Sequence, residues 1–295
     1  MSCYHEKGFN RTGKCHGSCI EFARTGPALS KEKGYSIKKF PASRLFTMDA
    51  GRIGLRKHYI KALLEIDVTD ARKKIKRMRA GSGGKISFTS WLLFCIGRAV
   101  SEHRGAHALR KGRRGLVIFD DVDVSLLVEK EVEGVRVPLP MVLRRINEKG
   151  IGEIFTEIEN AKGKKIESAG DYVLEKDRRG EPIGLFSLLP QFIRLMIWRM
   201  LLSSPHRVKR MMGTVIVTSV GMMGKADGWF IPYSIHPLCI ALGPIVKRPG
   251  MRKNGDGVRE YLKMTALIDH DVIDGAPALR FASRLVELME AGHGL

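Results

Sequence analysis

The run from Tyr261 to Met289 restricts this chain more than any other stretch. Tyr261 to Ile268 is largely apolar and reads as a strand, and Ala276 to Met289 has the apolar spacing of a helix. The short connection between them gathers an imidazole and two carboxylates within five residues, from His270 through Asp271 to Asp274. A strand handing over to a helix in so tight a turn places His270 at the lip of a sheet. An imidazole held there can act as a proton acceptor. Gly275 closes the turn, where a side chain is expected to clash.

The rest of the chain supports an α/β reading. Residues 41–57 read as an entry helix, and His58 to Val68 as a strand. Thr69 is expected to cap a helix running from Asp70 to Arg79. Ser87 to His103 is an apolar helix with Cys95 in the core, and Leu116, Val122 to Val128 and Val135 to Leu143 mark strands. An amphipathic helix follows from Ile151, then a polar loop over 163–182. Gly81 to Lys85 lacks the spacing of a phosphate-binding loop, because Ile86 stands where a metal-binding hydroxyl would be. Gly213 to Gly224 and Pro237 to Val246 read as further strands.

Charge is distributed unevenly. Lys and Arg outnumber Asp and Glu by 26 to 8 within residues 1–115, whereas the whole chain carries 51 against 31 for a net charge of +20. A basic half suits a polyanionic ligand, an anionic membrane surface, nucleic acid, or simply solvated helix faces. Nucleic acid is not expected, since the cations are not interleaved with stacking aromatics. No signal-peptide core and no eighteen-residue apolar run occur, so a cytoplasmic protein is expected. Cys3, His5, Cys15 and Cys19 offer four ligands of the kind zinc takes; a flexible extension with free thiols is the alternative. Residues 183–210 are apolar, broken by Pro190, and end in the basic run from His206 to Arg210. Three readings of this segment stand open: a helix buried against the sheet, a cover over a channel or subunit contact, and a peripheral membrane contact.

The stretch Asp269-His270-Asp-Val-Ile-Asp274-Gly275-Ala resembles the active-site signature of the CoA-dependent acyltransferases. The nearest branch is the catalytic domain of the acyltransferase component of 2-oxo-acid dehydrogenase complexes, with chloramphenicol acetyltransferase a more distant relative. Gly213-Thr-Val-Ile-Val-Thr218-Ser219-Val-Gly221 is similar to the family's Gly-Thr-x-x-x-Ser-Asn-x-Gly stretch, and Arg44 stands where that family carries an arginine early in its first helix. The family motif usually has arginine after the histidine; here it is Asp271.

The resemblance implies a chloramphenicol-acetyltransferase-like two-layer α/β fold, a mixed β-sheet covered by helices, in a homotrimer. It assigns residues 42–291 to a catalytic domain and 1–41 to an irregular extension. It implies acyl transfer between CoA and a thiol such as dihydrolipoamide, with His270 as general base, Thr218 stabilising the oxyanion and Asp274 anchoring the site. Asp274 would bridge to Arg44, and Ser219, Gly275 and Arg44 would line the substrate channel. No lipoylation turn occurs in the chain, so a lipoyl domain would be supplied in trans. The reading outside enzymology is a basic scaffold that keeps the fold and binds nucleic acid or a membrane surface.

Overall fold

A computed structural model of the chain describes residues 28–32, 34–38, 40, 42–81, 84–132, 135–163, 186, 188–219, 227–250 and 257–295. Its centre is a six-stranded mixed sheet. Strands β3 (Tyr59–Asp67), β6 (Val124–Val132), β7 (Val135–Leu143), β8 (Val215–Ser219), β9 (Leu238–Gly250) and β10 (Gly257–Asp269) lie in the order β3-β10-β9-β8-β6-β7. The pairs are antiparallel except for β9–β8 and β8–β6, which are parallel.

Strand alternation sorts the side chains between two faces. Ile66, Met264, Ile268, Leu238, Ile240, Val215 and Val217 face the helices and form the main core with them. Over this face lie α2 (Thr69–Gly81), α3 (Phe88–Glu102), α4 (Ile151–Gly163) and α7 (Gly275–Glu290). The central α3 is apolar nearly all round, as a helix flanked by α4 and α7 should be. Its first turn is closed by a reciprocal cap between Ser87 and Ser90, and Trp91 Nε1 donates to the His293 carbonyl at 3.0 Å, tying in the C-terminus.

On the opposite face Lys263 is only 1% exposed. Its ammonium pairs with Glu65 and sits 3.9 Å from the centre of the Trp229 ring, which desolvates the charge while satisfying it. Beside it β9 bulges at Gly243 and Pro244. A Cβ on Gly243 would stand 2.8 Å from the Lys263 carbonyl oxygen, so only glycine fits there. At the other end of β8, Gly213 has φ +70° and its missing Cβ would lie 2.6 Å from the Asp123 carbonyl oxygen. That carbonyl accepts from Thr214 N and Val215 N, so the glycine brings β8 onto β6.

Three local expectations are corrected. The N-terminal extension is not irregular throughout: β1 (Ala28–Glu32) and β2 (Tyr35–Lys38) pair as a hairpin turning at Gly34, whose φ is +98°. The cap of α2 is Asp67 rather than Thr69; its Oδ1 accepts from Thr69 N at 3.0 Å and Thr69 Oγ1 at 2.6 Å. The apolar segment after 183 is not a helix buried against the sheet. Pro190 caps α5 (Gln191–Leu202), in which Arg194 is the buried residue, and α6 (Pro205–Met212) follows. Helix α5 packs on α1 (Ala42–Gly54), where Arg194 clasps the fully buried Asp49 through Nε at 2.8 Å and Nη2 at 3.2 Å. No described helix is long and apolar enough to cross a membrane.

Candidate active site

The turn carrying His270 is held from three sides. His270 N donates to the His58 carbonyl at 2.7 Å, extending the β3–β10 ladder past its end, and Asp269 N donates to Pro237 O at 2.9 Å. The Asp269 carboxylate, 4% exposed, pairs with Lys57 Nζ through one oxygen and accepts from Asp271 N at 3.2 Å through the other. An aspartate accepting from the amide two residues on is a local turn former, so the carboxylate shapes the backbone that displays the imidazole. The His270 ring is exposed and has no hydrogen-bond partner among the described residues.

Asp271, the departure from the family motif, turns away from His270. Its Oδ1 lies 2.9 Å from His58 Nδ1 and its Oδ2 lies 3.8 Å from Arg110. The carboxylates on either side of His270 are thus taken up by Lys57, His58 and Arg110, three residues that sequence reasoning did not assign to the site. Lys57 and His58 directly precede β3, next to the strand that feeds the turn. Arg110 comes from the small β4–β5 hairpin (Leu109–Lys111, Gly115–Val117), and no sequence signal joins it to Asp271.

Asp274 is exposed at the N-cap of α7 without a side-chain cap bond. Gly275 begins the helix, and nothing lies within 4 Å of where its Cβ would be. The expected clash at Gly275 is therefore absent, because the turn is made by Asp269 to Val272 before the glycine is reached. Arg44 is exposed on α1, and no ion pair joins it to Asp274 among the described residues.

Thr218 and Ser219 end β8, both half-buried. Thr218 points to the sheet face opposite the helices, since its neighbour Val217 is in the core. Its hydroxyl has no partner among the described residues. The register separates it from His270 within one chain. Thr218 is level with Ala241 of β9, which is level with Thr265 of β10, five residues short of His270. Five residues along a strand and two inter-strand steps amount to roughly 19 Å. One chain brings His270 near Lys57, His58 and Arg110, and does not bring it to Thr218.

The buried histidines are different in kind. His107 bridges Thr214 Oγ1 at 2.8 Å and the Phe119 carbonyl at 3.2 Å, and His236 reaches the Met212 carbonyl at 3.0 Å. Burial depresses each to about 4, which keeps both neutral. Burial likewise pushes the Cys95 and Cys239 thiols up to about 12, so neither is a nucleophile. Among the described residues no cluster of three or more His, Cys, Asp or Glu could hold a metal. Cys3, His5, Cys15 and Cys19 lie outside the described residues.

The mixed sheet with one helix-covered face has counterparts among solved structures. A probable dihydrolipoamide acetyltransferase from Listeria monocytogenes matches with a TM-score of 0.62 at 17% identity, over 88% of this chain and 96% of its own. The cubic core of a pyruvate dehydrogenase multienzyme complex matches at 0.61 and 16%, over 90% and 96%. So does the Azotobacter vinelandii dihydrolipoamide acetyltransferase, at 0.61 and 17% over 90% and 96%, in a structure addressing the catalytic roles of a serine, a histidine and an asparagine. The fold is that of the dihydrolipoamide acyltransferase catalytic core. In sequence, residues 205–295, the stretch that holds Thr218, His270 and Asp274, match the family described as 2-oxoacid dehydrogenases acyltransferase (catalytic domain). No curated protein matches the chain in sequence. The resemblance to the acyltransferase catalytic domain is borne out over this segment, and the likeness in fold extends well before residue 205.

Proposed function

We propose that this chain transfers an acyl group between CoA and a thiol, at a site completed by two neighbouring copies in a trimer. The observation that carries the reading is the His270 imidazole, exposed, without a partner among the described residues and fixed by its backbone, within the segment that matches the acyltransferase family. The serine, histidine and asparagine named for the Azotobacter enzyme are separated by 52 and 4 positions, and Thr218, His270 and Asp274 repeat both intervals here. Threonine keeps the serine hydroxyl, and aspartate keeps the side-chain oxygen of asparagine.

His270 takes the proton of the acceptor thiol, whose ordinary pKa is about 8.5, and the thiolate attacks the thioester carbonyl. The carbonyl oxygen becomes an oxyanion, which accepts a hydrogen bond from the Thr218 hydroxyl of a neighbouring copy. Collapse breaks the original C–S bond, and the departing thiolate recovers the proton from the imidazolium. Asp274 positions this arrangement; its carboxylate has no ion-pair partner among the described residues and is assigned to a neighbouring copy. Ser219, Gly275 and Arg44 are assigned to the channel walls. Dihydrolipoamide, presented on a separate lipoyl domain, is the acceptor to test first.

Free-thiol release from acetyl-CoA and longer acyl-CoAs, with dihydrolipoamide as acceptor, tests the reading alongside His270→Ala. Wild-type turnover that falls at least about a hundredfold in the variant supports it. Turnover unchanged by His270→Ala, or no turnover and no CoA binding in the wild type, would overturn it.

A further inference from the structure

Between α1, α5 and the β4–β5 hairpin lies an open cleft of about 720 Å³. Five cations line it: Arg52 and Arg56 at the end of α1, Lys57 just beyond, Arg110 from the hairpin and Arg199 from α5. Among the described residues no carboxylate lines it. Lys57 and Arg110 are engaged with Asp269 and Asp271, whereas Arg52, Arg56 and Arg199 have no ion-pair partner among the described residues. Three unpaired guanidiniums converging on one concavity repel each other, and an anion between them removes that repulsion.

The remaining wall is hydrocarbon. Phe192 and Met196 line the cleft yet are 72% and 64% exposed, Met200 continues the same row at four-residue spacing along the α5 face, and Leu188, just before the helix, is also exposed. An apolar ridge of this size beside a cationic group is a recognition surface more than a solvated helix face.

We propose that this cleft binds an anionic amphiphile, with a phosphate or carboxylate head on Arg52, Arg56 and Arg199 and a hydrocarbon chain along Phe192 and Met196. The cleft abuts the His270 turn through Lys57 and Arg110, so an occupant lies beside the acyl-transfer site. The inference does not rest on the acyltransferase reading, because binding is measured without turnover.

Decyl phosphate, kept below its aggregation concentration, is titrated calorimetrically into the full chain, with inorganic phosphate and phosphatidylglycerol vesicles as comparators. Saturable binding is expected for decyl phosphate, at least about a hundredfold tighter than for inorganic phosphate, since the chain buries hydrocarbon. The Arg52→Gln/Arg199→Gln double variant, altered only at exposed positions, should bind at least about tenfold more weakly while melting like wild type. Met196→Gln should weaken decyl phosphate and leave inorganic phosphate unchanged. Equal affinity in wild type and double variant would overturn the assignment. So would equal affinity for the two phosphates, which would leave a bare anion site. Binding to vesicles without binding to the monomeric amphiphile would make the cleft a membrane-facing surface instead. An altered oligomeric mass in the double variant, with no amphiphile binding to wild type, would make it a subunit contact.

Discussion

Two inactive variants of this chain should restore activity when assembled together. A base and an oxyanion donor serving one tetrahedral intermediate must each lie about 3 Å from their target atoms, which keeps them within about 7 Å of one another. The strand register puts Thr218 and His270 of one chain roughly 19 Å apart, as two strand spacings and five residues along β10 dictate. On the proposed mechanism the site takes its histidine from one copy and its threonine from the next. The perturbation is a pair of single variants, His270→Ala and Thr218→Val, each expected to lose about a hundredfold or more in rate. In a ring, a working site needs an intact histidine from one copy and an intact threonine from its neighbour in the right sense. Random equal mixing satisfies both for about one site in four. Trimers selected for carrying both variants hold one intact site in three, about a third of wild-type activity. The assay is co-expression with two affinity tags, sequential purification and measurement of thiol release per subunit. Doubly tagged oligomers no more active than the single variants would refute the register argument and return the site to a single chain.

Further expectations concern stability. Asp49 and Arg194 are 0% and 5% exposed and joined by two hydrogen bonds at the α1–α5 contact. Arg194→Met leaves the aspartate charge unpaired; because the pair lies outside the main core, the cost should be about 2–3 kcal/mol, between exposed and core pairs. That should lower Tm by about 5 °C at fixed protein concentration, and Asp49→Leu/Arg194→Met should recover most of the loss; no change in the single variant would count against the pair. His107 and His236 are held neutral, with burial depressing them from 6.5 to about 4. Their contribution is complete above pH about 6.5, where neither state is protonated. It is lost as pH falls towards 4, because the unfolded chain gains protons that the folded one refuses, at about 3 kcal/mol for each histidine. Melting followed from pH 7 to 4 should therefore fall less steeply for His236→Gln than for wild type, and parallel curves would contradict this.

The strand–turn–helix around His270 was legible in the sequence because everything that makes it is local. The apolar run, the short polar connection after it and the apolar spacing after Gly275 sit within thirty residues, and periodicity reports them directly. The same holds for β3, α3 and the start of α5 after Pro190. Local reading was less reliable where two candidates competed for one job. Asp67 caps α2 in place of Thr69 because its carboxylate reaches both the amide and the hydroxyl of that threonine. The glycine was expected to make the turn, but Asp269 makes it, and nothing among the described residues stands within 4 Å of where a Cβ on Gly275 would be.

Contacts across large sequence separations were decided by the tertiary structure alone. The pairing of Lys57 with Asp269, the placing of Arg110 beside Asp271, and the burial of Asp49 against Arg194 depend on where the sheet and helices set distant residues. Charge on a single residue type carries no record of its partner, and ion pairing is chosen by geometry after the chain has packed. The separation of Thr218 from His270 is a matter of register, which no motif encodes although both motifs are plain. The sequence by itself determined which groups can do acyl-transfer chemistry and which backbone displays them. Only the fold decided that one chain holds them apart, because strand order and register set distances that spacing along the sequence cannot.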